Sequence, residues 1–229
     1  MAVPIQALLF DLDGTLIDSM PLHHEAWRAW HARHGLPFDD AGFFGATAGR
    51  TNAEILRDLL PASSDAERET LAEEKEALYR ASAATSLRMI AGFEPLRAEA
   101  RALGLKLAIC TAAPLANIAV AVRRFGLDSQ VDAITSPADG LRGKPHPDIF
   151  EEAARRLRVP PAACLVFEDA PLGIEAARRA GMPAVALTTS LSTSAFAGYD
   201  NLRLAIADFQ GLDITALLTV KTTRDTQNA

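Results

Sequence analysis

One short stretch constrains this chain more than any other. The apolar run Ile5-Gln6-Ala7-Leu8-Leu9-Phe10 ends abruptly in Asp11-Leu12-Asp13-Gly14. A run this short, without polar alternation, reads as a strand buried on both faces. Gly14 lets the backbone leave that strand in a conformation other residues avoid. Asp11 and Asp13 are therefore expected at the carboxyl end of a central parallel strand, where open α/β sheets place their ligands. Two alternate residues on an extended chain point the same way, so both carboxylates can face one small volume. Like charges that close need a cation between them, or one must hold a proton. Mg²⁺ suits such oxygen ligands. The competing reading is an Asp turn followed by an Asp helix cap.

The remaining pattern fits a parallel sheet. Residues 107–110, 131–134, 164–167 and 184–187 read as strands. Helical spacing occupies 94–103, 115–125, 148–158 and 173–180 between them, with Gly126 and Gly181 as stops. A short edge strand is expected at 203–206, and the tail 221–229 is polar. Strands alternating with helices imply right-handed crossovers and a sheet covered on both faces. Residues 20–90 depart from this. They carry helical spacing at 24–33, 51–60 and 64–82 and no convincing buried strand. The expected fold class is α/β: a Rossmann-like core over 1–19 and 91–229, with a helical unit inserted over 20–90.

Composition sets broad bounds. The 229 residues are 49% hydrophobic and 23% charged, ordinary for a globular chain with a sizeable core. A net charge of −6 argues against a general nucleic-acid binder, although a local group of cations can still receive an anionic substrate. No apolar stretch is long enough to span a membrane and the N-terminus does not read as a signal peptide, so the cytoplasm is the expected compartment. Cys110 and Cys164 lie in apolar runs and read as buried small hydrophobes. A monomer or weak homodimer is expected.

Three further strand ends carry polar groups. Cys110 is followed by Thr111-Ala112-Ala113, a hydroxyl beside small residues that leave backbone N–H groups open to an oxyanion; a helix cap is the alternative. Lys144 stands between Gly143 and Pro145, its backbone course restricted; a solvated loop lysine is the alternative. Phe167 is followed by Glu168-Asp169, two acids that end an apolar strand at a cost unless a cation joins them; a capping Asp beside a solvated Glu is the alternative.

Taken in chain order, Asp11-Leu12-Asp13-Gly14-Thr15, Thr111, Lys144 and Glu168-Asp169 resemble the haloacid dehalogenase-like superfamily over nearly the whole chain. The resemblance implies phosphoryl transfer through an aspartyl phosphate. It makes Asp11 the nucleophile and Asp13 the general acid/base. Thr111 and Lys144 would hold the phosphoryl oxygens. Mg²⁺ would be held by Asp11, the backbone carbonyl of Asp13, and Asp169, with Glu168 as a further ligand. Dehalogenases of the superfamily lack an acid at the position of Asp13, and phosphatases and phosphomutases need one. The insertion resembles the helical cap of the beta-phosphoglucomutase-like branch. There His23 matches a histidine that contacts the acid/base, Arg50 in Gly49-Arg50-Thr51 an arginine that holds a substrate phosphate, and Lys75 a cap lysine. Each also has a plainer reading: a helix-start histidine, a helix-start arginine, and a lysine on a solvated acidic face among Glu73, Glu74 and Glu76.

The expected function is a Mg²⁺-dependent phosphatase of a small phosphorylated metabolite, a sugar phosphate by this resemblance. A beta-phosphoglucomutase is the alternative. A non-enzymatic receiver-like module is more distant, because receivers are much shorter, carry no inserted cap, and bear their phosphorylated Asp after an interior strand of the order.

Overall fold

The computed structural model describes residues 3–47 and 50–218. Gly49 and the tail 221–229 lie outside the described residues. Six strands form one parallel sheet: β1 (Ala7–Phe10), β2 (Lys106–Cys110), β3 (Ala133–Thr135), β4 (Cys164–Glu168), β5 (Ala184–Leu187) and β6 (Leu202–Ile206), in the order β3-β2-β1-β4-β5-β6. β1 is central and wholly buried. It pairs with β2 from Ala7↔Lys106 to Phe10↔Ile109, and with β4 from Ala7↔Cys164 to Phe10↔Phe167. The chain runs outward from β1 in both directions, so the carboxyl end of β1 is the switch point of the sheet.

Alternation along the strands divides the core. Leu8, Phe10, Leu107, Ile109, Leu165 and Phe167 face α5 (Phe93–Ala102) and α6 (Leu115–Phe125). Ala7, Leu9, Ala108, Cys110 and Val166 face α7 (Asp148–Leu157) and α8 (Pro171–Arg179). Both cysteines are buried and free, as their apolar surroundings predict.

Between β1 and α5 lie α1 (Met20–Arg33), α2 (Phe43–Thr47), α3 (Asn52–Leu59) and α4 (Asp65–Ser86). Trp27, Trp30, Ile55 and Leu56 give them an apolar cluster of their own. Capping boxes at Thr51 and Ser64 start α3 and α4, each satisfying two otherwise orphaned backbone groups. The two connections to the sheet are tied together: Asp18 N–H donates to the Arg88 carbonyl and Ile90 N–H to the Leu16 carbonyl, both at 2.9 Å. At its far end α4 is held by Arg124 of α6, whose guanidinium donates to the carbonyls of Leu87, Ala84 and Thr85 at 2.7–2.9 Å.

Boundaries shift locally. α1 begins at Met20, four residues before the apolar spacing starts, because Pro21 is tolerated in a first turn. α4 runs on to Ser86, β3 lies at Ala133–Thr135, and α8 begins at Pro171. α2 has too few residues for helical periodicity to register. Among the described residues, no helix is long and apolar enough to cross a membrane.

Candidate active site

A cavity of about 390 Å³ lies between the carboxyl end of the sheet and the inserted helices. All the residues singled out from sequence line it: Asp11, Asp13, His23, Arg50, Lys75, Thr111, Ala112, Lys144, Glu168 and Asp169.

Its floor is charged and buried. One carboxylate oxygen from each of Asp11, Glu168 and Asp169 lies within 4.8 Å of the others. Lys144 Nζ donates to Asp11 at 2.5 Å and to Glu168 at 2.6 Å. Glu168 also accepts from Ala170 N–H at 2.6 Å, and Asp169 accepts from the Ser190 hydroxyl at 2.7 Å. Two glycines leave room for these acids. A Cβ on Gly14 would stand 2.1 Å from an oxygen of Asp169, and one on Gly173 would stand 1.9 Å from an oxygen of Glu168. Gly14 also sits at φ +76°, the left-handed region that the turn after β1 requires.

Burial raises the Asp11 carboxyl well above the usual range; Lys144 pulls it down and Glu168 pushes it up again. Asp169 is raised by burial first, then by Glu168 and Asp11. Lys144 is raised: burial works against its charge, but the flanking Asp11 and Glu168 carboxylates outweigh it. Carboxylates crowded out of water beside one lysine form a set short of positive charge. An oxygen-seeking divalent cation fits it.

Beside the floor, Thr111 extends the ladder by donating its N–H to the Thr135 carbonyl, and its hydroxyl accepts from Ala113 N–H at 2.9 Å. It does not cap α6, whose N-cap is Pro114.

Asp13 is only partly shielded, and its Oδ1 has no close hydrogen-bond partner among the described residues. His23 Nε2 approaches it at 3.5 Å. Burial pushes this carboxyl up, but His23 and Ser19 outweigh it and hold it below the ordinary value. The His23 ring is fixed from two further directions. Tyr79 stacks on it with centroids 3.8 Å apart, and Lys75 Nζ stands 2.8 Å from its Nδ1. An ammonium can only donate, so Nδ1 accepts and the ring proton sits on Nε2, facing Asp13.

Lys75 is not on a solvated face: it is 2% exposed and lies 2.9 Å from Glu76. Glu76 also accepts from Asn52 of α3 at 2.5 Å and from Asn117 of α6 at 2.6 Å. Arg50 precedes α3 and does not begin it. Its guanidinium is turned to Asp58 at 2.6 Å and the Glu54 carbonyl at 3.1 Å. Glu76, Asn52, Asn117, Trp27 and Ser190 line the same cavity and were not singled out from sequence. Glu76 was hidden by its acidic neighbours. A signal was available in the spacing of Lys75, Glu76, Tyr79 and Ala83, which together form the buried stripe of α4.

A parallel α/β sheet with this acid-and-lysine constellation at its switch point defines a class of phosphoryl-transfer enzymes. The chain belongs to the haloacid dehalogenase-like hydrolases, whose family model matches residues 5–181. It is 34% identical over 194 residues to validoxylamine A 7'-phosphate phosphatase of Streptomyces hygroscopicus subsp. limoneus, covering 85% of this chain and 91% of that one. It is 31% identical to beta-phosphoglucomutase of Bacillus subtilis, covering 79% and 82%. Among solved structures, a family IA, variant 3 hydrolase of Entamoeba histolytica superposes with a TM-score of 0.86 at 29% identity, over 93% of this chain and 98% of that one. The chain is an enzyme of phosphoric monoesters, a phosphatase or a phosphomutase.

Proposed function

We propose that this protein is a Mg²⁺-dependent phosphatase that hydrolyses a small sugar phosphate through an aspartyl phosphate on Asp11. The observation that carries the reading is the buried Asp11–Lys144–Glu168 arrangement beside the unpartnered Oδ1 of Asp13. Asp11 attacks phosphorus and the ester P–O bond breaks. Asp13 gives its proton to the leaving oxygen; the dianionic phosphate arriving beside it raises its affinity for that proton. Water then attacks the phosphoryl group, Asp13 takes the water's proton, and the bond to Asp11 breaks. Lys144, Thr111 and the backbone N–H of Ala112 receive phosphoryl oxygens. Asp11, the Asp13 carbonyl and Asp169 would hold Mg²⁺, with Glu168 close by; the ion supplies positive charge where the loose transition state needs it. His23, fixed by Lys75 and Tyr79, keeps Asp13 oriented.

Residues 20–90 act in this reading as a cap, moving against the core about the paired connections near Ser19 and Gly92 and excluding water when closed. The second reading is a phosphomutase, favoured by the beta-phosphoglucomutase relative. One assay separates them: beta-glucose 1-phosphate with Mg²⁺ and trace bisphosphate. Release of inorganic phosphate supports the phosphatase, and glucose 6-phosphate the mutase. The Asp11→Asn variant should lose several orders of magnitude in rate on either path, so a variant retaining about a tenth of the wild-type rate rejects the shared mechanism.

A further inference from the structure

The end of the cavity away from Asp11 has a charge pattern that bears on the body of the substrate. Every lysine, arginine and histidine that lines the cavity among the described residues already meets a carboxylate. Lys144 has Asp11 and Glu168, Lys75 has Glu76, Arg50 has Asp58, His24 has Asp40, and His23 faces Asp13. At the cap end the two strong cations are thus each matched by one anion. A second phosphate entering there would leave water without meeting an uncommitted positive charge.

Glu76 adds direct discrimination. It is 5% exposed, and Asn117 beside it is 4% exposed. Its Oε1 accepts from Lys75 and Asn52, and its Oε2 from Asn117. An ionised carboxylate has about four acceptor positions, so one remains after these three bonds. A hydroxyl can fill it by donating. A phosphate or carboxylate oxygen cannot, since it presents only lone pairs and negative charge. The apolar wall is supplied by Trp27 and Ile55, surfaces that suit the C–H faces of a sugar.

We infer that Glu76, held by Asn52 and Asn117, is a specificity-determining residue that selects the monophosphate of an uncharged polyhydroxy compound and rejects a second anionic group. This rests on the sugar-phosphatase reading. Arg50, whose position resembles a phosphate-holding one, here donates to Asp58 instead.

The test compares one sugar with and without the extra phosphate. Asp11→Asn protein with Mg²⁺ is titrated calorimetrically with fructose 1-phosphate, fructose 6-phosphate and fructose 1,6-bisphosphate. The bisphosphate should bind at least about tenfold more weakly than the better monophosphate, the minimum expected for charge buried without a partner. Adding Glu76→Gln should shrink that gap at least about threefold, because Lys75 is then released to the ligand. Bisphosphate binding as tight as the monophosphate, or a gap unchanged by Glu76→Gln, overturns the inference. If the double variant does not fold, the matched ligands on Asp11→Asn decide alone. If no sugar phosphate binds while the wild type still hydrolyses p-nitrophenyl phosphate, the inference fails and the phosphatase stands. If p-nitrophenyl phosphate is not hydrolysed either, the phosphatase reading itself fails.

Discussion

Asp169 and Glu168 are neighbours with different commitments. Both oxygens of Glu168 are taken by protein donors, Lys144 and Ala170 N–H, whereas among the described residues Asp169 accepts only from Ser190, at one oxygen. Asp169→Ala should therefore weaken Mg²⁺ more than Glu168→Ala, by about tenfold or more, in line with the loss of a direct ligand. Superimposable metal titrations of the two variants would reject the ranking. Glu76 permits a pH test. Burial pushes its pKa up, but Lys75 foremost, with the two amides, holds it at about 2, against an ordinary value of 4.5. A depressed carboxyl stabilises the fold above its unfolded pKa, and that contribution disappears as pH falls from 4.5 towards 2. The shift corresponds to roughly 3 kcal/mol at neutral pH. Lys75 offsets part of it, because burial lowers its own pKa despite Glu76. Denaturant titrations should show the stability difference between wild type and Glu76→Gln shrinking by about 2 kcal/mol from pH 7 to pH 3. A constant difference would mean that the Glu76 carboxyl titrates alike in the folded and unfolded chain.

At the scale of elements, the turn after β1 joins backbone geometry to site chemistry. Gly14 has φ +76°, its N–H donates to the Ile17 carbonyl at 2.8 Å, and its own carbonyl accepts from Thr189 at 2.6 Å. Gly14→Ala meets two costs: about 1 kcal/mol for a side chain in the left-handed region, and the collision with Asp169. Lower thermal stability together with weakened Mg²⁺ binding is expected. A stable variant with unaltered metal affinity would show that the turn tolerates a side chain. α4 makes a different point. Its last carbonyls have no partners within the helix, and Arg124 supplies them from α6. Arg124→Ala should cost roughly 1 kcal/mol, kept small because much of that side chain is exposed. Unchanged denaturant midpoints would mean that water replaces the guanidinium without loss.

For the whole molecule, the sheet order matters most. β1 lies between β2 and β4, so the ends of three neighbouring strands deliver Asp11, Thr111 and Glu168-Asp169 to one floor. The inserted helices supply the roof, and α6 reaches it directly through Asn117. Core and insertion thus share a hydrogen-bond network around Glu76. It runs through Lys75 to His23, whose Nε2 stands 3.5 Å from Asp13, the proposed acid/base.

What the sequence by itself determined was local, or repeated a local pattern. The buried strand before Asp11, the glycine turn, the alternation of strands and helices, and the polar strand ends all follow from neighbouring residues, because backbone geometry and burial period act over a few positions. The ordered polar ends also marked the family. Tertiary structure decided which groups meet. Lys144 reaches Asp11 across 133 positions, and Asn117 reaches Glu76 across 41. An acidic helical run looks the same whether it faces water or a cavity, so Glu73 and Glu74 gave no warning that Glu76 is buried. Likewise Arg50 matches a phosphate-holding position by sequence, and only the structure shows its guanidinium donating to Asp58, near the end of α3. Charge pairing depends on three-dimensional distance, and no residue's place in the chain encodes that distance alone.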